Sequence, residues 1–358
     1  MSLADLYAKS VGSLMMDVDA SFATVFDFRY GDGRDEMMRL YDKGKRQQWN
    51  VDEGIDWSVA FDPEDPLQLP EAFFPLYRSP LYLKMTAAEK ARARRHYQAW
   101  TTSQFLHGEQ GALFCAAKIV QQVPDMEAKL YASSQVIDEA RHVEVFSRLL
   151  KKIGTVYGVS SPLKILLRQI LGDSRWDMTY LGMQVVIEGL ALAAFAGLRD
   201  YAQNPLAARV NAYVMRDEAR HVAFGRLALR EFYPQLSTAE RAEREDFLIT
   251  ACRLMRDRFE ARSVWRNLGL PVDRCVAHLE QSKSMGRFRR RLFARIVPVV
   301  RDIGLWSPRV RDAFEAMGVL AFARIDVDAM QASDEAIAAE FAARQTHIET
   351  MADYGRAG

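Results

Sequence analysis

The pentapeptide Asp138-Glu139-Ala140-Arg141-His142 recurs letter for letter as Asp217-Glu218-Ala219-Arg220-His221. Each copy holds a Glu-x-x-His pair, and residues three apart share one face of a helix, so one carboxylate and one imidazole can reach a single point. Upstream of each copy an acidic residue sits in an apolar run: Glu109 in FLHGEQGALFCAA and Glu188 in MQVVIEGLALAAF. A common offset of 79 residues relates Glu109 to Glu188, Glu139 to Glu218 and His142 to His221, as duplication of a helix pair would produce.

A glutamate on an apolar helix face is expensive to ionise unless a cation or a raised pKa relieves it. Six converging ligands suggest a cation. Two divalent ions bring four positive charges, which Glu109, Glu139, Glu188 and Glu218 neutralise, while neutral His142 and His221 complete the protein ligation. One Glu-x-x-His alone is commonly an ordinary solvated helix face. The exact repetition, the apolar settings and the common offset favour two metal half-sites. Oxygen and nitrogen donors accept iron and manganese alike, so the donor set by itself leaves the choice between Fe/Fe and Mn/Fe open.

Four helices must carry these residues. End signals predict helices over 87–123, stopped by Pro124, and over 125–153, stopped by Gly154. After a connector containing Pro162 and Gly172, further helices are predicted over 175–202 and from Pro205 to 233. A short helix is expected over 34–48. The remaining residues before 85 are rich in proline and aromatics, as in an irregular wrap. Helical patterns at 237–268, 272–283, 285–300 and 334–354 bear no ligand motif. The chain is therefore read as all-α: a wrap (1–85), a four-helix bundle (86–235) and packed C-terminal helices (236–358), forming one structural unit.

Composition sets bounds. The 358 residues carry 48 basic and 47 acidic side chains, a formal charge of +1, so no global field favours nucleic acid or an anionic membrane. No uncharged apolar stretch is long enough to span a bilayer. Cys115, Cys252 and Cys275 form no CxxC pair, which fits free thiols in a reducing compartment. A secretory signal is not expected at the N-terminus, and a cytoplasmic location is. The Arg287–Arg291 run, Cys115, His96, His107, His278 and His347 receive no role.

The Glu, Glu-x-x-His, Glu, Glu-x-x-His order resembles the ferritin-like di-iron and di-manganese carboxylate proteins. Within that group the DEARH form is similar to the hydroxylase subunits of bacterial multicomponent monooxygenases and to the arylamine N-oxygenases. That resemblance implies two iron ions, with Mn/Fe as the alternative, and dioxygen activation, with Asp217 orienting His142, Asp138 orienting His221, and Arg141 and Arg220 pairing with those aspartates. Val214 stands where the N-oxygenases carry an additional histidine ligand. RQQWNVDEGIDWS also resembles a segment of the ribonucleotide reductase small subunit, which implies that Trp49 lies near Asp217 as an electron relay. A plain core anchor is the other reading of Trp49. Against a radical function, Phe146 occupies the place of that family's usual radical tyrosine, and the gap from Glu139 to Glu188 is short.

The expected activity is thus oxidation of a hydrophobic small organic substrate by O2, through hydroxylation, N-oxygenation or desaturation. A ferredoxin or reductase would supply electrons. The alternatives are a small-subunit-like radical or Mn/Fe two-electron oxidase, and a ferritin-like protein handling iron or peroxide. One helical turn from the ligands, Phe105, Leu113, Phe146, Gln184, Leu192 and Val214 are the candidate pocket residues. The extra wrap and C-terminal helices suit either a built pocket or a homodimer interface.

Overall fold

The computed structural model describes residues 2–8, 15–28, 30 and 34–340; His347 and the end of the helix expected over 334–354 lie outside them. Helix α1 (Asp35–Arg46) precedes the four long helices α2 (Ala87–Gln122), α3 (Met126–Ile153), α5 (Trp176–Tyr201) and α6 (Pro205–Phe232). Among the described residues no β-strand forms, only an isolated bridge between Tyr7 and Val156. The long helices start and stop where local chemistry dictates. Thr86 and Glu89 form a reciprocal capping box, Asp125 caps Ala128, and Gly154 ends α3 at φ 78°. Asn204 caps α6, with Pro205 in its first turn.

The expected connector 154–175 contains a helix of its own, α4 (Ser161–Gly172). Pro162 falls in its first turn, where a missing N–H costs nothing, and Leu163, Leu166, Leu167 and Ile170 form its buried stripe. Further differences follow in the C-terminal part. The pattern at 237–268 breaks into α7 (Thr238–Asp257) and α8 (Arg262–Asn267), with a tight turn between them. Beyond α9 (Val272–Gln281), the 285–300 pattern breaks into α10 (Lys283–Leu292) and α11 (Ile296–Asp302). A continuous helix there would put Pro298 in its interior, whereas restarting at Ile296 leaves Pro298 in a first turn.

Helices α2 and α3 pack along each other, as do α5 and α6, so the two repeated units are two antiparallel helix pairs. Helix α5 is long and apolar enough to cross a membrane, but about two-thirds of its apolar window is buried inside the protein. Its start is fixed by a buried pair in which Arg244 of α7 donates from Nε and Nη2 to Asp177, at 2.9 and 3.2 Å. Residues 49–86 run irregularly over the bundle. Lys152 donates to the carbonyl of Val59 and Asn204 to that of Ala60, so the segment tethers both helix pairs.

Between Leu181 and Ile187 helix α5 opens into π geometry, which ends at Glu188. A π turn takes an extra residue, so the side chains beneath Glu188 shift by about one position relative to an α-helix. Opposite this stretch, α6 presents Gly225, where a Cβ would stand 2.5 Å from the Cβ of Gln184. Gly225→Ala should therefore destabilise the fold by roughly 1–3 kcal/mol, read as a lower denaturation midpoint with unchanged m-value; unchanged stability would show that the two helices can separate freely.

Candidate metal centre

Glu109 on α2, Glu139 and His142 on α3, Glu188 on α5, and Glu218 and His221 on α6 all point into the bundle axis and are buried. Their donor atoms converge in two overlapping sets, Glu109/Glu139/His142/Glu218 and Glu139/Glu188/His221. Nδ1 of His142 lies 3.3 Å from Glu109 Oε2 and 3.1 Å from both Glu139 Oε2 and Glu218 Oε1. Nδ1 of His221 lies 3.1 Å from Glu139 Oε1 and 3.6 Å from Glu218 Oε1. The two oxygens of Glu139 thus face different imidazoles, the geometry of a shared ligand, and Glu218 reaches both sets.

The outer face of each ring meets the aspartate of the opposite repeat. His142 Nε2 lies 3.3 Å from Asp217 Oδ2, and His221 Nε2 lies 3.2 Å from Asp138 Oδ2. Such contacts leave Nδ1 free to ligate. Arg220 donates through Nη2 to Asp138 (3.1 Å) and to Asp217 (2.8 Å), so one guanidinium spans both halves. Arg141 pairs with Asp138 and lies 3.8 Å from Asp217. The wrap closes this layer: Trp49 Nε1 donates to Asp217 at 2.7 Å, Gln48 donates to Asp138 at 3.1 Å, and Trp49 stacks on Tyr213 with ring centroids 4.5 Å apart.

Gln135 is a site residue that the sequence reading missed. It is fully buried and donates from Nε2 to Glu139 (3.1 Å) and Glu188 (3.0 Å). Its position, one helical turn before Glu139 on the ligand face, was the available signal. The 79-residue offset pairs it with Val214, which is buried and offers no donor atom, so polar support differs between the halves.

Of the candidate pocket residues, Phe105 lines the cleft beside Glu109, Glu188 and Glu218, together with Ala112, Met183, Ile187 and Ala191. Gln184 is turned to Gln135 instead, and Leu192 lines a separate cleft beside Arg216 and Arg295. The π turn accounts for Gln184, since it brings Met183 and Ile187 round to the cleft; Leu192 follows the π stretch in regular α-helix, where Ala191 takes the cleft side instead. Phe146 and Val214 are closed core, with Phe146 in a cluster with Phe105 and Phe195, and Leu113 is half-buried outside the cleft. The cleft also contains Arg258, so its lining is not apolar throughout.

The electrostatics of the bare site are those of crowded charge. Burial lifts Glu109 and Glu188 well above the ordinary carboxylate range, and repulsion from Glu218 adds to both shifts. Burial would also raise Glu139, but His221 and His142 outweigh it and hold that carboxyl low. Burial would lower both imidazoles. For His142, Asp217, Glu109, Glu139 and Glu218 outweigh it; for His221, Glu139 and Glu218 do so, and both rings stay protonated well above their usual value. Neither oxygen of Glu218, nor Oε2 of Glu188, accepts a hydrogen bond. Orphaned buried acceptors facing two imidazoles fit a pair of divalent cations, because the cations supply the missing charge.

Residues 32–304 match the family described as p-aminobenzoate N-oxygenase AurF. The chain belongs to this family. It is accordingly an oxidoreductase with a dinuclear metal centre, of monooxygenase type, using O2 and a small-molecule substrate. Solved structures similar to it include a variant of an R2-like ligand-binding oxidase with anaerobically reconstituted Mn/Fe cofactor: 18% identity over 75% of this chain and 94% of that one, TM-score 0.48. Another is a protein with aldehyde deformylating oxidase activity from Synechococcus: 16% identity, 63% and 97% coverage, TM-score 0.46. No curated protein matches the sequence.

Two outcomes follow for this AurF-family protein. Glu188→Ala leaves one set intact and should reduce iron from about two per chain to about one, whereas Glu139→Ala should deplete both positions; elemental analysis after anaerobic loading distinguishes them, and equal loss in the two variants would refute the shared role of Glu139. Metal binding should also release protons. Glu109, Glu188, His142 and His221 all hold protons above their ordinary pKa in the bare site, so affinity must rise with pH as they are displaced. Zinc titrations in weak buffer between about pH 6 and 8 measure this, and a pH-independent affinity with no acid release would contradict it.

Proposed function

We propose that Glu109, Glu139, His142, Glu188, Glu218 and His221 hold a di-iron centre that oxygenates a small organic molecule, with the nitrogen of an aromatic amine as the reacting atom. The placing of Glu139 between the two imidazoles carries this reading, because a carboxylate that faces both donor sets would serve two metals at one reaction site. The family's p-aminobenzoate N-oxygenase description supports the choice of nitrogen. For an amine R–NH2 the balance is R–NH2 + O2 + 2e⁻ + 2H⁺ → R–NHOH + H2O, so a ferredoxin or reductase must provide two electrons. When bound, the irons supply the redox chemistry that couples dioxygen to this oxidation.

The chain supplies the rest. Asp217 and Asp138 fix the imidazole rings, and Arg220 locks the two aspartates together. Gln135 orients Glu139 and Glu188, while Phe105, Phe146 and Phe195 exclude water on the substrate side. Val214 leaves the ligand set at six where arylamine N-oxygenases use a further histidine. A second reading, a Mn/Fe two-electron oxidase, draws on the contact of Trp49 with Asp217 and, through it, His142, a path for electrons from the surface.

The test is anaerobic iron loading, exposure to ¹⁸O-labelled dioxygen with an arylamine such as 4-aminobenzoate, and mass spectrometry of the product. Labelled hydroxylamine from the native protein, absent in folded Glu109→Ala, is the expected result. Dioxygen consumption without label in the product favours the second reading, and no oxygen reaction defeats both. Trp49→Phe should keep its metal and its single-turnover product but slow turnover driven by an external reductant.

A further inference from the structure

The cleft beside the carboxylates is narrow, with room inside for about one water-sized occupant, and its walls include one cationic side chain, Arg258. Arg258 is 6% exposed. No carboxylate lies within ion-pair distance of its guanidinium among the described residues. Its Nε has no hydrogen-bond partner, Nη1 reaches the Sδ of Met255 at 3.5 Å, and its Cζ lies 5.2 Å from the centroid of the Phe259 ring, contacts that leave the charge without an anion. The neutral polar side chain in the cleft, Gln104, is already committed, accepting from the Ser160 N–H at 2.8 Å and donating to the Gly158 carbonyl at 3.1 Å. Burial pushes Arg258 down to about 10, which still leaves it cationic at neutral pH.

Charge counting makes this cation conspicuous. Four carboxylates already neutralise two divalent metals, so the positive charge of Arg258 is surplus in the cleft. Its placement is also built rather than incidental. The turn Arg258–Glu260 interrupts what would be one helix from α7 into α8, and Ala261 follows it at φ 50°, ψ 35°, a conformation that costs a residue with a Cβ. Trp265 Nε1 donates to the Glu260 carbonyl at 2.6 Å, and Phe259 packs edge-on against Phe288, so the turn is pinned in place.

We propose that Arg258 is the specificity-determining residue of the cleft, binding a carboxylate on the substrate so that the apolar body lies along Phe105, Met183 and Ile187 and the oxidisable end reaches the metal centre. This rests on the reading of the cleft as the substrate side of an oxygenase. A carboxylate completes the hydrogen bonding of a planar guanidinium and cancels its charge in the same contact. The substrate is then an amphipathic anion, a refinement of the hydrophobic small molecule expected from the sequence. The cleft must widen to admit it, by movement of Phe105 or of the Arg258 side chain itself.

Calorimetry with the iron-loaded protein kept anaerobic separates binding from turnover. The probes are benzoate, 4-aminobenzoate and 3-phenylpropanoate, each against its primary amide. At least one carboxylate should bind about tenfold or more tightly than its amide. Arg258→Gln should abolish that preference at unchanged iron content and helicity, and Arg258→Lys should restore part of it. If no carboxylate outbinds its amide, or if Arg258→Gln keeps the preference because the carboxylate binds the metals directly, the proposal is overturned. A preference lost in Arg258→Gln while the native protein forms no oxygenated product would instead uphold the anchor and refute the oxygenase reading. Should Arg258→Gln not fold, the lysine variant decides, since it removes the planar fork but keeps the charge: a preference undiminished from wild type would overturn the assignment.

Discussion

Everything in this structure answers to the burial of four carboxylates at one point inside a helical bundle. Isolated ionised carboxylates in such surroundings would each cost several kcal/mol, and protein hydrogen bonds compensate only in part, since Glu218 receives none. The helices can close around Glu109, Glu139, Glu188 and Glu218 only if positive charge joins them, as protons in the bare protein or as metal ions in the loaded one. That is why the bare site raises Glu109 and Glu188 and keeps both imidazoles protonated. Folding and metal binding are thereby linked through the same groups.

Convergence of six side chains also limits the scaffold. Two helix pairs related by duplication deliver the donors with approximate two-fold symmetry, but the two pairs need fastenings between them. Arg220 supplies one, bridging Asp138 and Asp217. The N-terminal segment supplies the other through Gln48 and Trp49, one to each aspartate. A segment with little regular structure therefore governs the orientation of both imidazoles, and its prolines make sense as a means of limiting its freedom once it lies across the bundle.

The repeat at Glu139-Ala140-Arg141-His142 and Glu218-Ala219-Arg220-His221 made the donors and their helices legible, because helical spacing and end caps are local properties. The aspartate exchange between repeats followed from family resemblance, since no local rule states which helices face each other. The π stretch before Glu188 was invisible, as nothing in LGMQVVI separates π from α geometry, and the choice of Gln184 as a pocket residue was displaced by it. The turn at Arg258 was hidden for a similar reason. No glycine or proline marks Ala261, where tertiary packing imposes the left-handed conformation. Gln135, by contrast, lay on the ligand face one turn from Glu139 and was overlooked because a buried glutamine carries no charge to explain.

Symmetric ligation in an asymmetric surrounding gives the centre two distinct sides. On one, Glu109, Glu188 and Glu218 border the cleft with Phe105 and Arg258. On the other, the Nε2 atoms of His142 and His221 lead out to Asp217, Asp138 and Trp49. Carboxylates can change their mode of binding at little cost, whereas imidazoles held by aspartates cannot, so in the proposed centre the adaptable groups face the cleft and the rigid ones face the wrap. An oxygenase profits from this separation: the reacting molecule needs room and exclusion of water, while electron transfer needs fixed contacts and tolerates a polar shell. Duplication accounts for the six converging side chains, and the unduplicated wrap and C-terminal helices give their two sides different surroundings.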